Sequence, residues 1–155
     1  MLQLVFSLLI GLQFLLVACH DMVDIRGWTH GSQVKTTVGP TKFWIGTLIN
    51  AIFPGLAVGF AVWFFNRLKP GYVTAYWLIY CAVTVGSAVA MWWVPYFLGC
   101  SEKTKREYAQ MYAGTRQVLP PRGKNPRPNA LHLYFHALFV VTFVLAAALW
   151  LQGAK

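Results

Sequence analysis

Four long stretches of the chain contain no Lys, Arg, Asp or Glu, and this feature restricts the possible folds more than any other. The stretches cover residues 2–19, 43–65, about 72–96 and 131–151. A helix needs about 20 apolar residues to cross the hydrocarbon core of a bilayer. We therefore predict an all-α protein, a four-helix transmembrane bundle that forms a single integral membrane domain over residues 1–155.

The overall composition excludes a soluble or a disordered chain. Apolar residues make up 57% of the sequence and charged residues only 11%, whereas soluble domains have about 25% charged residues. The surface of a soluble domain of this length has to be wetted. Charged residues at 11% of the sequence cannot cover that surface. A membrane protein is therefore the class that remains.

The distribution of positive charge predicts the orientation in the membrane. The first connection (20–42) holds three of the 13 Lys and Arg, the third (100–130) holds seven, and the second connection and the chain end hold Arg67, Lys69 and Lys155. With four spans, the first and third connections lie on the same side, and connections rich in Lys and Arg stay in the cytoplasm. We therefore predict a multi-pass protein of the bacterial cytoplasmic (inner) membrane with both termini outside.

The three cysteines give no sign of a processed or disulfide-bonded protein. The sequence Leu16-Val17-Ala18-Cys19 resembles a lipoprotein cleavage site, but no Lys or Arg precedes Arg26. Signal peptides usually open with a positive region, so we expect an uncleaved first span. Cys19, Cys81 and Cys100 form no CxxC pair, and we expect free thiols that act as small apolar side chains.

Histidine and aspartate residues gather at the predicted ends of spans one and four. Of these five residues, two follow the first span directly and one lies a turn further. The other two lie at the beginning of the fourth span, at positions i and i+4 of one helical face. The topology alone places all five on one side of the membrane. Imidazole and carboxylate suit transition metals, and imidazoles from two helices suit haem. The pattern therefore predicts a transition-metal or haem site on the cytoplasmic side, formed by His20, Asp21, Asp24, His132 and His136.

Other interpretations of the same residues stay open. They could form a hydrogen-bonded or ion-paired cap that ties span one to span four, or a proton or substrate path, because ionisable residues at membrane depth are often functional. No Ser-His-Asp, HExxH, Walker or dinucleotide-binding pattern is present. The sequence therefore assigns no catalytic residue and leaves enzymatic activity undecided. The alternatives to a cofactor-binding protein are a non-catalytic accessory or scaffold subunit of a membrane complex and a small oligomeric transporter.

The third connection predicts a contact with lipid head groups. Residues 101–112 are rich in Lys, Arg and Glu, and Tyr108, Met111 and Tyr112 form one apolar stripe at helical spacing. We expect a short interfacial amphipathic helix whose basic face meets anionic lipid head groups. The membrane accounts for the positive charge, so we expect no nucleic-acid partner, whereas a homo-oligomer or a larger membrane complex stays open. Asn129 is expected to cap the fourth span.

Small and polar residues within the spans predict how the helices pack. Small residues at every fourth position let helix backbones approach closely in lipid, and we expect the stripes of spans two and three to face each other. Asn50 is expected to find a partner on another helix, and Pro95 is expected to end the third span. The two stripes consist of Ala51, Gly55 and Gly59 and of Ala82, Gly86 and Ala90.

Several motifs resemble a set of small bacterial four-span membrane proteins. They are His20-Asp21 after an apolar span, Trp92-Trp93-x-Pro95-Tyr96-Phe97-x-Gly99, and Leu119-Pro120-Pro121-Arg122 leading to Pro128-Asn129-x-Leu131-His132-x3-His136. The resemblance covers most of the chain. It implies a four-helix membrane fold and brings no activity with it.

Overall fold

The predicted apolar stretches are helical. In the computed structural model, which describes residues 2–64 and 70–153, they form α1 (Leu2–Cys19), α3 (Pro40–Phe64), α4 (Pro70–Ala88) and α7 (Ala130–Gly153). A π-helix (Val89–Trp93) joins α4 to α5 (Val94–Leu98). Within these described ranges, four helices are long and apolar enough to cross a membrane. The predictions of a mainly helical chain and of four apolar helices are therefore confirmed. Arg67, Lys69 and Lys155 lie outside the described residues.

The first connection contains local structure that the sequence did not reveal. After α1, the chain forms a 3-10 turn (His20–Met22) and two short antiparallel strands, β1 (Asp24–Ile25) and β2 (Thr29–His30). Helix α2 (Gly31–Val38) follows, and it ends at Gly39, whose φ is +85°. The hairpin is a small addition to a fold that is otherwise helical.

The third connection contains the predicted short helix and returns to the first connection. Helix α6 (Glu102–Met111) begins at Ser101, whose Oγ accepts a hydrogen bond from the Thr104 N–H. Further along, the Arg116 N–H donates to the Gly27 carbonyl at 2.7 Å. The first and third connections therefore meet at one end of the molecule, as the topology predicts.

The core of the molecule draws on all four long helices. Helix α1 contacts α3 and α7, and α7 also contacts α4. The rings of Phe6 on α1 and Trp77 on α4 lie 4.6 Å apart, and both side chains are fully buried. One cluster of buried side chains includes members of each helix: Phe6, Ile10, Ala57, Val73, Trp77, Tyr80, Cys81, Ala146 and Leu149.

The small-residue stripes do not face each other, so that prediction was wrong. A Cβ at Gly55 would lie 3.2 Å from the Phe14 ring of α1, so this part of α3 packs on α1. A Cβ at Gly59 or Gly86 would meet no atom within 4 Å. Large aromatic side chains join α3 and α4 instead, since the Phe60 ring stacks on the Tyr76 ring at 4.0 Å. Spacing along a helix does not show which neighbour a face meets.

The third long helix continues past Pro95, which corrects the expectation that it ends there. Proline has no N–H to donate to the carbonyl four residues earlier, which is that of Met91. The Tyr108 hydroxyl of α6 donates to this Met91 carbonyl at 3.0 Å. The helix ends only at Gly99, whose φ is +87°. The hydrogen bond from Tyr108 to the Met91 carbonyl therefore connects α6 to the third long helix.

Candidate functional site

His20 and Asp21 lie in the 3-10 turn that follows α1. His20 Nδ1 lies 2.7 Å from the Val17 carbonyl oxygen, and His20 Nε2 lies 3.1 Å from Asp21 Oδ1. The Asn50 amide of α3 donates to Asp21 Oδ2 at 3.2 Å, which is the interhelical partner expected for Asn50. Both ring nitrogens of His20 therefore face oxygen atoms that can accept hydrogen bonds.

His132 is buried at the beginning of α7, where Asn129 holds it. Asn129 Oδ1 accepts from the His132 backbone N–H at 3.0 Å and lies 2.8 Å from His132 Nδ1. The first bond is the predicted N-cap. Because Oδ1 is an acceptor, Nδ1 carries the ring hydrogen, and the lone pair lies on Nε2. Asn129 thus selects one tautomer of a buried imidazole.

The two imidazoles approach each other inside a group of aromatic rings. The ring centroids of His20 and His132 lie 5.8 Å apart. The Trp92 indole lies 4.0 Å from His132, and the Tyr112 phenol lies 5.3 Å from it. The structure brings His20, Asp21 and His132, three of the five predicted site residues, together at one end of the molecule. We call these residues together with Asn129, Trp92 and Tyr112 the imidazole cluster.

His136 lies one turn deeper on the same face of α7. Its ring centroid is 6.4 Å from that of His132 and 5.8 Å from the Trp93 ring. His136 Nδ1 is buried and has no hydrogen-bond partner among the described residues. The residue therefore borders the imidazole cluster without a hydrogen bond to it.

Asp24 does not join the other four predicted site residues. It lies exposed on β1, and its Oδ1 accepts from the Ser32 N–H at 3.0 Å. This bond satisfies a backbone donor at the beginning of α2. Hydrogen bonds from the Ser32 side chain and then from its backbone N–H lower the pKa of Asp24 below its usual value. The chain turns away after Met22, whereas the sequence argument placed Asp24 one helical turn further along α1.

The geometry gives no support for the metal or haem hypothesis. Among residues 2–64 and 70–153, no group of three or more His, Cys, Asp and Glu is arranged to hold a metal ion. A metal ligand needs a free lone pair, but both nitrogens of His20 and Nδ1 of His132 face oxygen acceptors. Cys19, Cys81 and Cys100 are free thiols, as predicted.

Comparison with known proteins adds no function. The chain matches no protein-family model, no curated protein sequence and no solved structure. Any function therefore has to be argued from the geometry of the residues described above.

The sequence argument did not assign Trp92 or Tyr112 to the site. Trp92 belongs to a set of tryptophans near span ends, which is typical of interfacial anchors, but its side chain is buried. Tyr112 ends the apolar stripe of α6, and this stripe packs on Trp92, with Tyr108 and Tyr112 at 5.0 and 5.1 Å from its ring. The apolar stripe in the sequence was the signal that could have revealed this contact, because an apolar helix face packs against another surface.

We expect the protein to lose stability at alkaline pH because of the Tyr112 phenol. Burial of the ring, and secondarily the nearby Asp21 carboxylate, raise the pKa of Tyr112 above its usual value. The folded protein then keeps a proton that the unfolded chain releases above about pH 10. The free energy of unfolding is therefore expected to fall as pH rises above that value, by up to about 1.4 kcal/mol per pH unit.

The pH dependence is measured by denaturant titration in detergent micelles at several alkaline pH values. The Tyr112→Phe variant is expected to lose this part of the slope. An equally steep decline in both proteins would show that Tyr112 does not cause it.

Proposed function

We propose that this chain is a membrane protein that holds and exchanges a proton at the imidazole cluster. Four long apolar helices support a four-helix transmembrane bundle, since each is long enough to cross a bilayer and all four contribute to one core. The excess of Lys and Arg in the first and third connections supports their placement in the cytoplasm. In this arrangement His20, Asp21 and His132 lie at the cytoplasmic end of the bundle in the bacterial inner membrane.

The proton site is inferred from the two oxygen acceptors that face the ring nitrogens of His20. The Val17 carbonyl can only accept, so Nδ1 must donate to it. A neutral imidazole then presents a lone pair on Nε2 toward Asp21 Oδ1, 3.1 Å away. Two acceptors facing each other are unfavourable in a partly buried place. A proton between Nε2 and Oδ1 satisfies both atoms, whichever of the two carries it.

His132 lies beside this pair and presents a lone pair of its own. Asn129 Oδ1 accepts a hydrogen bond from Nδ1 of His132, so the lone pair of this imidazole lies on Nε2. The ring centroid of His132 lies 5.8 Å from that of His20. Asn50 holds the other carboxylate oxygen of Asp21, so the carboxylate stays aimed at His20. The His and Asp residues act here through protons, with the nitrogens used as donors and acceptors.

Nitrogen NMR of the purified protein tests this proposal. Protein labelled with ¹⁵N at histidine is reconstituted in lipid nanodiscs near neutral pH. We expect His20 to show a hydrogen on Nδ1 and a second, shared hydrogen at Nε2, and His132 to show a hydrogen on Nδ1 alone. In Asp21→Asn the shared hydrogen at Nε2 of His20 is expected to disappear, because the carboxylate that holds it is gone.

Asp24→Asn is the matched control. Asp24 is also an aspartate of the first connection, but its carboxylate contacts Ser32, so the His20 signals are expected to remain as in the unmodified protein. A His20 ring with one hydrogen, unchanged by Asp21→Asn, would contradict the proposal. So would an equal effect of both variants, since it would point to a general change of the fold.

A further inference from the structure

A polar cavity lies beside the imidazole cluster, in the third connection. Its volume is about 330 Å³, and it lies between α6 and the Pro-rich segment that precedes α7. Tyr108 and Tyr112 line it, and their rings also pack on Trp92. The cavity therefore shares a wall with the imidazole cluster but lies outside the four apolar helices. Pockets that hold small ligands begin at about this size.

The charge of the cavity wall favours an anion. Lys105, Lys124 and Arg127 line it, and the described lining residues include no carboxylate. Lys105 is partly neutralised by Glu102, whose carboxylate is 2.7 Å from Nζ. Arg127 uses one N–H on the Leu119 carbonyl at 3.1 Å, and a guanidinium has five N–H donors. Glu102 also interacts electrostatically with Lys124, so the remaining donors of Arg127 and part of the charge of Lys124 are left for a ligand.

Gln117 adds a polar but uncharged group to the wall. Gln117 lines the cavity, and its amide nitrogen donates to Thr115 Oγ1 at 3.2 Å. Its Oε1 is buried and has no donor among the described residues. Because Oε1 is enclosed by the protein, a ligand in the cavity does not reach it. The wall therefore favours an anion with several hydrogen-bond acceptors, and a phosphate group has these properties.

We propose that this cavity binds a phosphate group, such as that of a glycerol phosphate unit. Arginine and lysine are the residues that recognise phosphate oxygens, and Lys124 and Arg127 supply these donors here. The same unit occurs in the head group of phosphatidylglycerol and in free glycerol phosphate. The inference is independent of the proton site, because it rests on other residues.

Two arms of one experiment separate these sources. In the first, free glycerol phosphate is titrated calorimetrically into protein held in nanodiscs of phosphatidylcholine. In the second, protein from nanodiscs with equal amounts of phosphatidylcholine and phosphatidylglycerol is analysed by native mass spectrometry for retained lipid. Binding in the first arm supports the proposal with a soluble ligand, and selective retention of phosphatidylglycerol supports it with a lipid.

Variants of the wall decide whether the cavity is responsible. Arg127→Gln and Lys124→Gln are each expected to weaken binding about tenfold or more, since each removes charged donors to phosphate. Lys124 is exposed, so its replacement leaves the fold intact even if Arg127→Gln disturbs it. Lys103→Gln is the control, because Lys103 is a highly exposed cation of α6 that lies outside the cavity wall. Absence of binding in both arms, or equal weakening by Lys103→Gln, would overturn the proposal.

Discussion

Replacement of Trp77 by alanine is expected to lower the free energy of unfolding by about 3–5 kcal/mol. Trp77 is 1% exposed and packs its ring on that of Phe6, in the cluster that joins all four long helices. Removal of the indole leaves a cavity among close-packed side chains, and neither water nor lipid replaces the lost van der Waals contacts in an enclosed cavity. Denaturant titration in mixed micelles measures the effect.

Trp44→Ala provides the matched control for this change. Trp44 is also a tryptophan of a long helix, but it is 52% exposed, so its removal opens no enclosed cavity. We expect a loss below about 1 kcal/mol. Similar losses for the two variants would show that Trp77 does not occupy a close-packed core, and that the four helices do not share one.

Replacement of Asn129 by alanine is expected to cost about 2–4 kcal/mol of the free energy of unfolding. The loss of a helix N-cap costs roughly 1 kcal/mol, and each buried polar group left without a partner costs about 1–3 kcal/mol. Asn129 is buried, and its Oδ1 meets both the backbone N–H and Nδ1 of His132. The same titration in micelles measures the loss, and histidine NMR reports the tautomer of His132.

Asn129→Ser separates the two contributions of Asn129. Serine can cap the helix, but its shorter side chain cannot reach the imidazole as well. We therefore expect an intermediate loss of stability and a His132 ring that no longer holds its hydrogen only on Nδ1. If alanine and serine both cost less than about 0.5 kcal/mol, the size of a surface substitution, Asn129 would not hold His132.

The helices of this protein could be predicted closely because long apolar runs leave the chain one local solution. Backbone groups in an apolar environment must bond internally, and a helix does this within its own segment. The predicted stretch 2–19 is the helix Leu2–Cys19, and the stretch 131–151 lies within Ala130–Gly153. Local capping chemistry was equally readable at Asn129.

The candidate site could be predicted only where topology alone decides position. His20 and His132 had to lie at the same end of the molecule, and their rings are indeed 5.8 Å apart. Asp24 was misplaced because the argument extended α1 by a turn, whereas Val23 is extended and begins the path to β1. Sequence spacing could not show this turn. The 3-10 segment and the hairpin are held by hydrogen bonds that differ from the i to i+4 bonds of an α-helix.

The amino-acid sequence by itself determined four long apolar helices, the common end of the first and third connections, and the histidines at that end. Only the tertiary structure decided which faces meet, because helix contacts depend on side-chain shape in three dimensions. Phe14 therefore meets Gly55, and the stripes of small residues remain apart. The tertiary structure also decided the chemistry of the imidazoles. The oxygen atoms of Val17, Asp21 and Asn129 face their nitrogens, so three of the four nitrogens of His20 and His132 meet hydrogen-bond acceptors and are not free to bind a metal.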